Sequence, residues 1–186
     1  LVYKVGRSTR QGGLCTQWLA SCANGTCTQG AIPRGGLLVP CFIKKSLFHL
    51  PRPIHTDRPL ILIGPGTGVA PYRGFLQHLS QMATPPVVHL YFGCRRPTTD
   101  YLYQEDWSTF AKLVPNFTIR TAFSRTQPEK HYVQHCMLEH GAEIAHQILS
   151  ENAHIFVCGD GIAMAREVQD VLARILSEHG QMRGQH

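Results

Sequence analysis

The chain has 186 residues, 43% of them hydrophobic and 16% charged, which is ample material for a packed core and unlike a disordered chain. No apolar run reaches the ~20 residues of a membrane helix, and the opening "LVYKVGRSTRQGG" lacks the continuous apolar core of a signal peptide. The formal charge is +6, but Lys and Arg are scattered, concentrating only at Lys44-Lys45, Arg95-Arg96 and between Arg120 and Lys130. That distribution suits an anionic small ligand or an acidic partner better than a nucleic-acid backbone.

Seven cysteines form no C-x-x-C pair and are odd in number, so neither a disulfide framework nor a zinc site is indicated. A reducing, cytoplasmic setting is the expectation. In chain order, "GGLCTQWLASC" (12–22) places small residues ahead of a short helix, a candidate anion site. Residues 21–40 are rich in Gly, Pro, Thr and Asn and read as loop. Residues 37–51, "LLVPCFIKKSLFHLP", read as a strand with Lys44-Lys45 on an exposed edge. This opening part, residues 1–57, reads as the tail of a domain rather than a whole one.

From residue 58 the pattern becomes regular. Strands are expected at 60–63, 87–92, 117–123 and 155–158. Helices are expected at 72–81, 104–113, 131–149 (with Gly141 as a break) and 163–177. Short apolar strands alternating with amphipathic helices mean βαβ units and a doubly wound parallel sheet. Trp18, Trp107 and Phe110 are expected in the core. His131, His135 and Glu139 recur at four-residue intervals, which reads as a solvated helix face rather than a metal site, and no metal is expected.

The chemistry concentrates where the strands end. The first runs into Gly64-Pro65-Gly66-Thr67-Gly68 and then a helix, an arrangement that brings backbone N–H groups and a positive helix end to a phosphate. It matches neither G-x-G-x-x-G nor the P-loop. The second strand ends in Arg95-Arg96, and the third in "FSRTQPEKHYVQH", with Ser124, Arg125 and Lys130. No acidic residue stands where an NAD site needs one for the ribose hydroxyl. Two basic strand ends favour a 2′-phosphate, held by charge-assisted hydrogen bonds, and hence NADPH.

Taken together, "GPGTGVAP" (64–71), "YFGCRR" (91–96) with "DYLY" (100–103), "FSR" (123–125), "YVQ" (132–134) and "CGD" (158–160) ahead of Met164-Ala165 resemble the NADPH-binding domain of the diflavin reductases. The motifs occur in family order from 58 to about 176. "GLCT" (13–16) resembles the family's FAD pyrophosphate loop. Within the family, "CTQWLA", "FHLP", "GFLQH" and residues 139–160 are most similar to methionine synthase reductase, and "VPCFIKKSLFHLP" is similar to the microsomal cytochrome reductase. The resemblance implies a Rossmann-like domain at 58–186, preceded by part of a FAD-binding β-barrel domain.

It also implies roles. Gly64, Gly66, Thr67 and Gly68 would hold the NADPH pyrophosphate. Ser124, Arg125 and Lys130 would take the 2′-phosphate, with Arg95 beside it and Tyr132, Val133 and Gln134 near the adenosine. Cys158, with Gly159 and Asp160 of the same motif, would stand at the catalytic end, where nicotinamide passes hydride to FAD. Glu167 replaces the family's Asp in the NADP set, and Gly161-Ile162-Ala163 departs from the usual pattern. Gly13, Leu14, Cys15 and Thr16 would touch FAD phosphate. Electrons would continue through FMN to an acceptor protein, expected to be methionine synthase, with a haem monooxygenase as the alternative. Most of the FAD domain, the FMN domain and the family's terminal aromatic have no counterpart in the sequence, so the flavin domains would be partners and the chain alone is expected to turn over poorly. A non-catalytic nucleotide-binding module is the reading from another class.

Overall fold

The protein is described by a computed structural model covering residues 14–23, 42–159 and 163–180. It divides into two units, Leu1–Phe48 and His49–His186. In the first, α1 (Leu14–Ala23) is the helix expected from its small-residue start. Trp18 on it is 38% exposed, not core. Residues 42–50 are not a strand: no described strand pairs with them, and an isolated segment has nowhere to place its backbone hydrogen bonds. Phe42, Ile43 and Leu47 there are almost fully exposed. The predicted loop beyond Ala23 lies outside the described residues.

The second unit contains the sheet. Its elements are β1 (Leu60–Ile63), a 3-10 turn (Gly66–Val69), α2 (Ala70–Leu79), β2 (Val88–Cys94), α3 (Gln104–Leu113), β3 (Phe117–Phe123), α4 (Val133–Glu139), α5 (Gly141–Glu151), β4 (His154–Val157) and α6 (Met164–Gly180). All pairings are parallel, and the strand order is β3-β2-β1-β4. Every residue of β1 and β2 is buried, as a parallel sheet covered on both faces requires. The chain steps outward from β1 to β2 to β3, then crosses back to place β4 on the other side of β1. That reversal creates a switch point between β1 and β4, where such sheets bind ligands.

The helices divide between the faces. Ile61, Ile63, Tyr91 and Ala122 pack with Val133, Met137, Ile144, Val168 and Ile175 of α4, α5 and α6. On the opposite face Phe156 meets Phe75 of α2 edge-on, and Tyr101 lies between Phe92 and Phe123. Trp107 and Phe110 of α3 are buried as expected, and the Trp107 indole N–H donates to the Leu102 carbonyl. The predicted helix 131–149 is two helices, broken at His140, one residue before the expected glycine. A Cβ on Gly141 would lie 3.0 Å from His179 Nε2 and 3.4 Å from Ile175, so the glycine lets α5 and α6 approach closely.

One buried polar group sits in this core. His89 of β2 is 6% exposed, and its Nδ1 accepts from Arg120 of β3 at 2.8 Å. Its Nε2 lies 2.6 Å from the Gln147 side-chain nitrogen of α5. Arg120 in turn donates to Glu143 at 2.7 Å and lies over the Tyr91 ring. Burial, first, holds the His89 pKa below its ordinary value.

Candidate nucleotide site at the strand ends

Gly64 leaves β1 with its N–H donating to the Tyr91 carbonyl of β2 at 2.9 Å. Gly66 has φ +59, the left-handed region that favours glycine, and a Cβ there would meet nothing within 4 Å. The other two glycines are required by packing. A Cβ on Gly64 would lie 2.7 Å from the Tyr72 ring, and one on Gly68 would lie 1.9 Å from the Cys158 carbonyl oxygen. The glycine pattern thus has two causes: one residue for the turn, two for close contact inside the protein. Sequence reasoning assigns all three to the ligand. Thr67 sits on the turn between them, and α2 follows with Pro71 near its start and no acidic residue in its first turn. The loop therefore presents a positive helix end without a carboxylate competing for it.

Beyond β2 and β3 the ladder continues. The Ser124 N–H donates to the Cys94 carbonyl at 2.9 Å, and the Arg125 N–H to the Arg95 carbonyl at 3.0 Å. Arg95, Ser124 and Arg125 are thereby set on adjacent backbones at one rim. Arg95, Arg125 and Lys130 are exposed, and none forms an ion pair with a carboxylate among the described residues. Arg73, Arg120 and Arg174, by contrast, each have one. A rim of unpaired cations is the donor set a dianionic phosphate requires.

At the start of α4, Tyr132 is 44% exposed and its N–H donates to His135 Nδ1 at 3.1 Å, with the two rings stacked. Val133, expected at the nucleotide, has its side chain in the core at 2% exposure. The side chain turns inward because the first turn of α4 must bury an apolar residue against the sheet, which leaves only the backbone for a ligand. Gln134 donates to Glu167 of α6 at 2.5 Å, so these two expected NADP residues meet each other. His131 Nε2 lies 3.8 Å from Glu139, and the rings of His131 and His135 are 5.6 Å apart. Cys136, Glu139 and His140 bring ligand-type atoms within 4.8 Å of one another. Cys136 is buried in the core, however, and His140 Nδ1 already bonds the Cys136 carbonyl at 2.8 Å.

Cys158 follows β4, its N–H donating to the Ile63 carbonyl at 3.0 Å. It is half-buried, and burial pushes its thiol pKa up, so the sulfur stays protonated at neutral pH. Gly159 is exposed. Asp160 and Gly13 lie outside the described residues. Leu14, Cys15 and Thr16 open α1, and their side chains lie outside the description too.

Sequence reasoning misses one residue here, Tyr72. It is fully buried, and its hydroxyl lies 3.0 Å from the Ile63 carbonyl oxygen and 2.9 Å from that of Phe156. Nothing in a helix-opening "APYRG" distinguishes it from an ordinary core aromatic.

A doubly wound sheet with a phosphate loop at its switch point and a cationic rim beside it defines a dinucleotide-binding module. Residues 62–170 match the family model described as the oxidoreductase NAD-binding domain. The chain belongs to that family. It is 45% identical over 148 residues to the NADPH–cytochrome P450 reductase of Aspergillus niger, an alignment covering 76% of this chain and 21% of the relative. It is 40% identical over 184 residues to the enzymes of that name from Bos taurus and Oryctolagus cuniculus, covering 96% of this chain and 26% of each. The chain thus spans about a quarter or less of the curated relatives it matches. These names support the reductase family of the resemblance. They do not support its methionine synthase branch.

Proposed function

We propose that this chain is the NADPH-binding module of a flavin-dependent reductase whose acceptor is a haem protein of the cytochrome P450 kind. The observation that carries the NADPH-binding part of this reading is the order of the strand ends. Reading across the sheet, β3 and β2 end in Ser124, Arg125 and Arg95, β1 in the glycine loop, and β4 in Cys158. Three strand spacings of ~4.8 Å span about 14 Å, the scale of an extended dinucleotide. That span supports a 2′-phosphate at the cationic rim, a pyrophosphate over the loop and a nicotinamide at Cys158.

NADPH supplies the hydride, and FAD and FMN in the whole protein would carry the electrons onward. Arg95, Ser124, Arg125 and Lys130 would hold the 2′-phosphate. Thr67 and the loop N–H groups would hold the pyrophosphate. Tyr132 and the Gln134–Glu167 pair would bound the adenosine. The protonated Cys158 would present a neutral sulfur to the reacting ring, with Asp160 two residues further along the chain. Leu14, Cys15 and Thr16 would belong to a FAD-binding part. A cytoplasmic location accompanies this reading. The P450-type acceptor replaces methionine synthase because the relatives that share this sequence carry that name.

The test is calorimetric titration of the chain with 2′,5′-ADP and with 5′-AMP. Preference for the 2′-phosphate, lost in Arg125→Ala, supports an NADP module. Equal or absent binding of both compounds would overturn it.

A further inference from the structure

Beyond the residues that would touch the nucleotide, the structure assigns a positioning role to Tyr72: its buried hydroxyl ties the end of β4, and with it Cys158, to the end of β1 beneath the glycine loop. This rests on the NADPH reading above and adds to it the control of the nicotinamide half of the site.

Tyr72 belongs to α2, yet its hydroxyl reaches back to both strands that flank the switch point. The Ile63 carbonyl closes β1, and the Phe156 carbonyl lies two residues before Cys158; both are within 3.0 Å of the phenol oxygen. A single O–H donates to one carbonyl at a time, so two acceptors in reach make it a bridge between two strands rather than a bond to either. The Ile63 carbonyl also accepts the Cys158 N–H at 3.0 Å, so the same oxygen serves the residue being positioned. The ring fills the space where a Gly64 side chain would be, and Gly68 rests on the Cys158 carbonyl. Loop, β1 end and β4 end therefore close around one side chain. Burial holds the phenol pKa far above its usual value, so the group remains a donor at any working pH. Phe at this position would fill the same volume and lack only the bridge. Its ring contact with Phe75 would persist.

The consequence is local. Without the hydroxyl, the β4 end loses one tie to β1, and Cys158 and Gly159 gain freedom while the cationic rim on β2 and β3 keeps its geometry. Net loss of one buried hydrogen bond corresponds to about a fivefold change in a local opening equilibrium.

The experiment is alkylation of Cys158 by iodoacetamide at fixed pH, followed by peptide mass mapping, in wild type and Tyr72→Phe, with 2′,5′-ADP titrated into both. Cys94 and Cys136, buried elsewhere in the same unit, are internal controls. The expected result is Cys158 alkylation about fivefold faster in Tyr72→Phe, unchanged rates at Cys94 and Cys136, and 2′,5′-ADP affinity within about twofold of wild type. Addition of NADP+ should slow Cys158 alkylation in wild type, and less so in the variant. Unchanged Cys158 reactivity, or a parallel rise at all three cysteines, overturns the positioning role and leaves Tyr72 as ordinary core. Failure of wild type to bind 2′,5′-ADP overturns the nucleotide reading itself. A Leu76→Val variant, which loosens α2 without touching either carbonyl, separates bridge loss from helix loosening: it should leave Cys158 at the wild-type rate.

Discussion

The two halves of the strand-end row are built on opposite principles. At β1 and β4 the backbone is packed against itself: Gly68 on the Cys158 carbonyl, Tyr72 under Gly64, the Cys158 N–H on Ile63. At β2 and β3 the backbone is equally regular, but what it presents is long, exposed and cationic: Arg95, Arg125 and Lys130. The first half has no tolerance for added atoms and little for changed polarity. The second tolerates both, because its side chains point away from the core. Stability and ligand choice are therefore separable along one sheet edge, and substitutions on the two sides should fail in different ways.

The largest effect is expected from Gly68→Ala. Its Cβ would overlap the Cys158 carbonyl oxygen at 1.9 Å, and that neighbour is backbone with no rotamer to escape into. A loss of more than ~4 kcal/mol, about 10 °C or more in Tm, is expected by thermal unfolding. A variant melting within ~2 °C of wild type would show that the loop and β4 do not meet as described. Next comes Arg125→Ala. Its Tm should hold, while 2′,5′-ADP affinity falls about 10- to 100-fold, the range of one charge-assisted hydrogen-bonding group; 5′-AMP binding should not change. If both ligands weakened equally, the rim would be a general anion patch rather than a 2′-phosphate site.

A smaller effect is expected from pH. His89 is neutral in the folded protein because burial holds its pKa below the ordinary value near 6.5. The unfolded chain then binds more protons as pH falls, so the His89 contribution is fully present above about 6.5 and is lost on acidification through and below it. Between pH 7.5 and 5.5, urea unfolding should show falling stability, and His89→Gln should flatten that slope. A slope unaltered in the variant would assign the acid sensitivity to other groups. The smallest effect belongs to Arg73→Ala. Its Asp106 partner lies at 2.9 Å, but both side chains are about a third exposed, so the change in stability should stay under ~1 kcal/mol.

These differences also explain what the sequence does and does not disclose. The strand run at 60–63 is legible to the residue, because a parallel strand covered on both faces must be apolar throughout, and 117–123, an edge strand with Arg120 at its middle, is legible from its β-branched and aromatic residues. The break before Gly141 is legible because glycine disfavours helix interiors. Arg95, Ser124 and Arg125 are legible as a group only through the expectation that parallel strands share a carboxyl end; the continued ladder that sets them side by side is a tertiary fact. The segment 37–51 misleads because its apolar runs are real, yet a strand exists only with a partner, and residues 42–50 have none among the described residues. Val133 misleads for the opposite reason: it lies between two ligand-type residues in "YVQ" but turns inward as α4 begins. Tyr72 is invisible to any local rule, because its acceptors on Ile63 and Phe156 are nine and 84 positions away in the chain.

Hydrogen exchange of the chain, alone and with 2′,5′-ADP or NADP+, tests the order of the strand ends most directly. The expected result is protection by 2′,5′-ADP at residues 64–69, 94–96 and 124–134, extended by NADP+ to 157–159. Protection confined to one strand end, or NADP+ and 2′,5′-ADP giving the same footprint with 157–159 unaffected, would contradict a dinucleotide laid across the sheet.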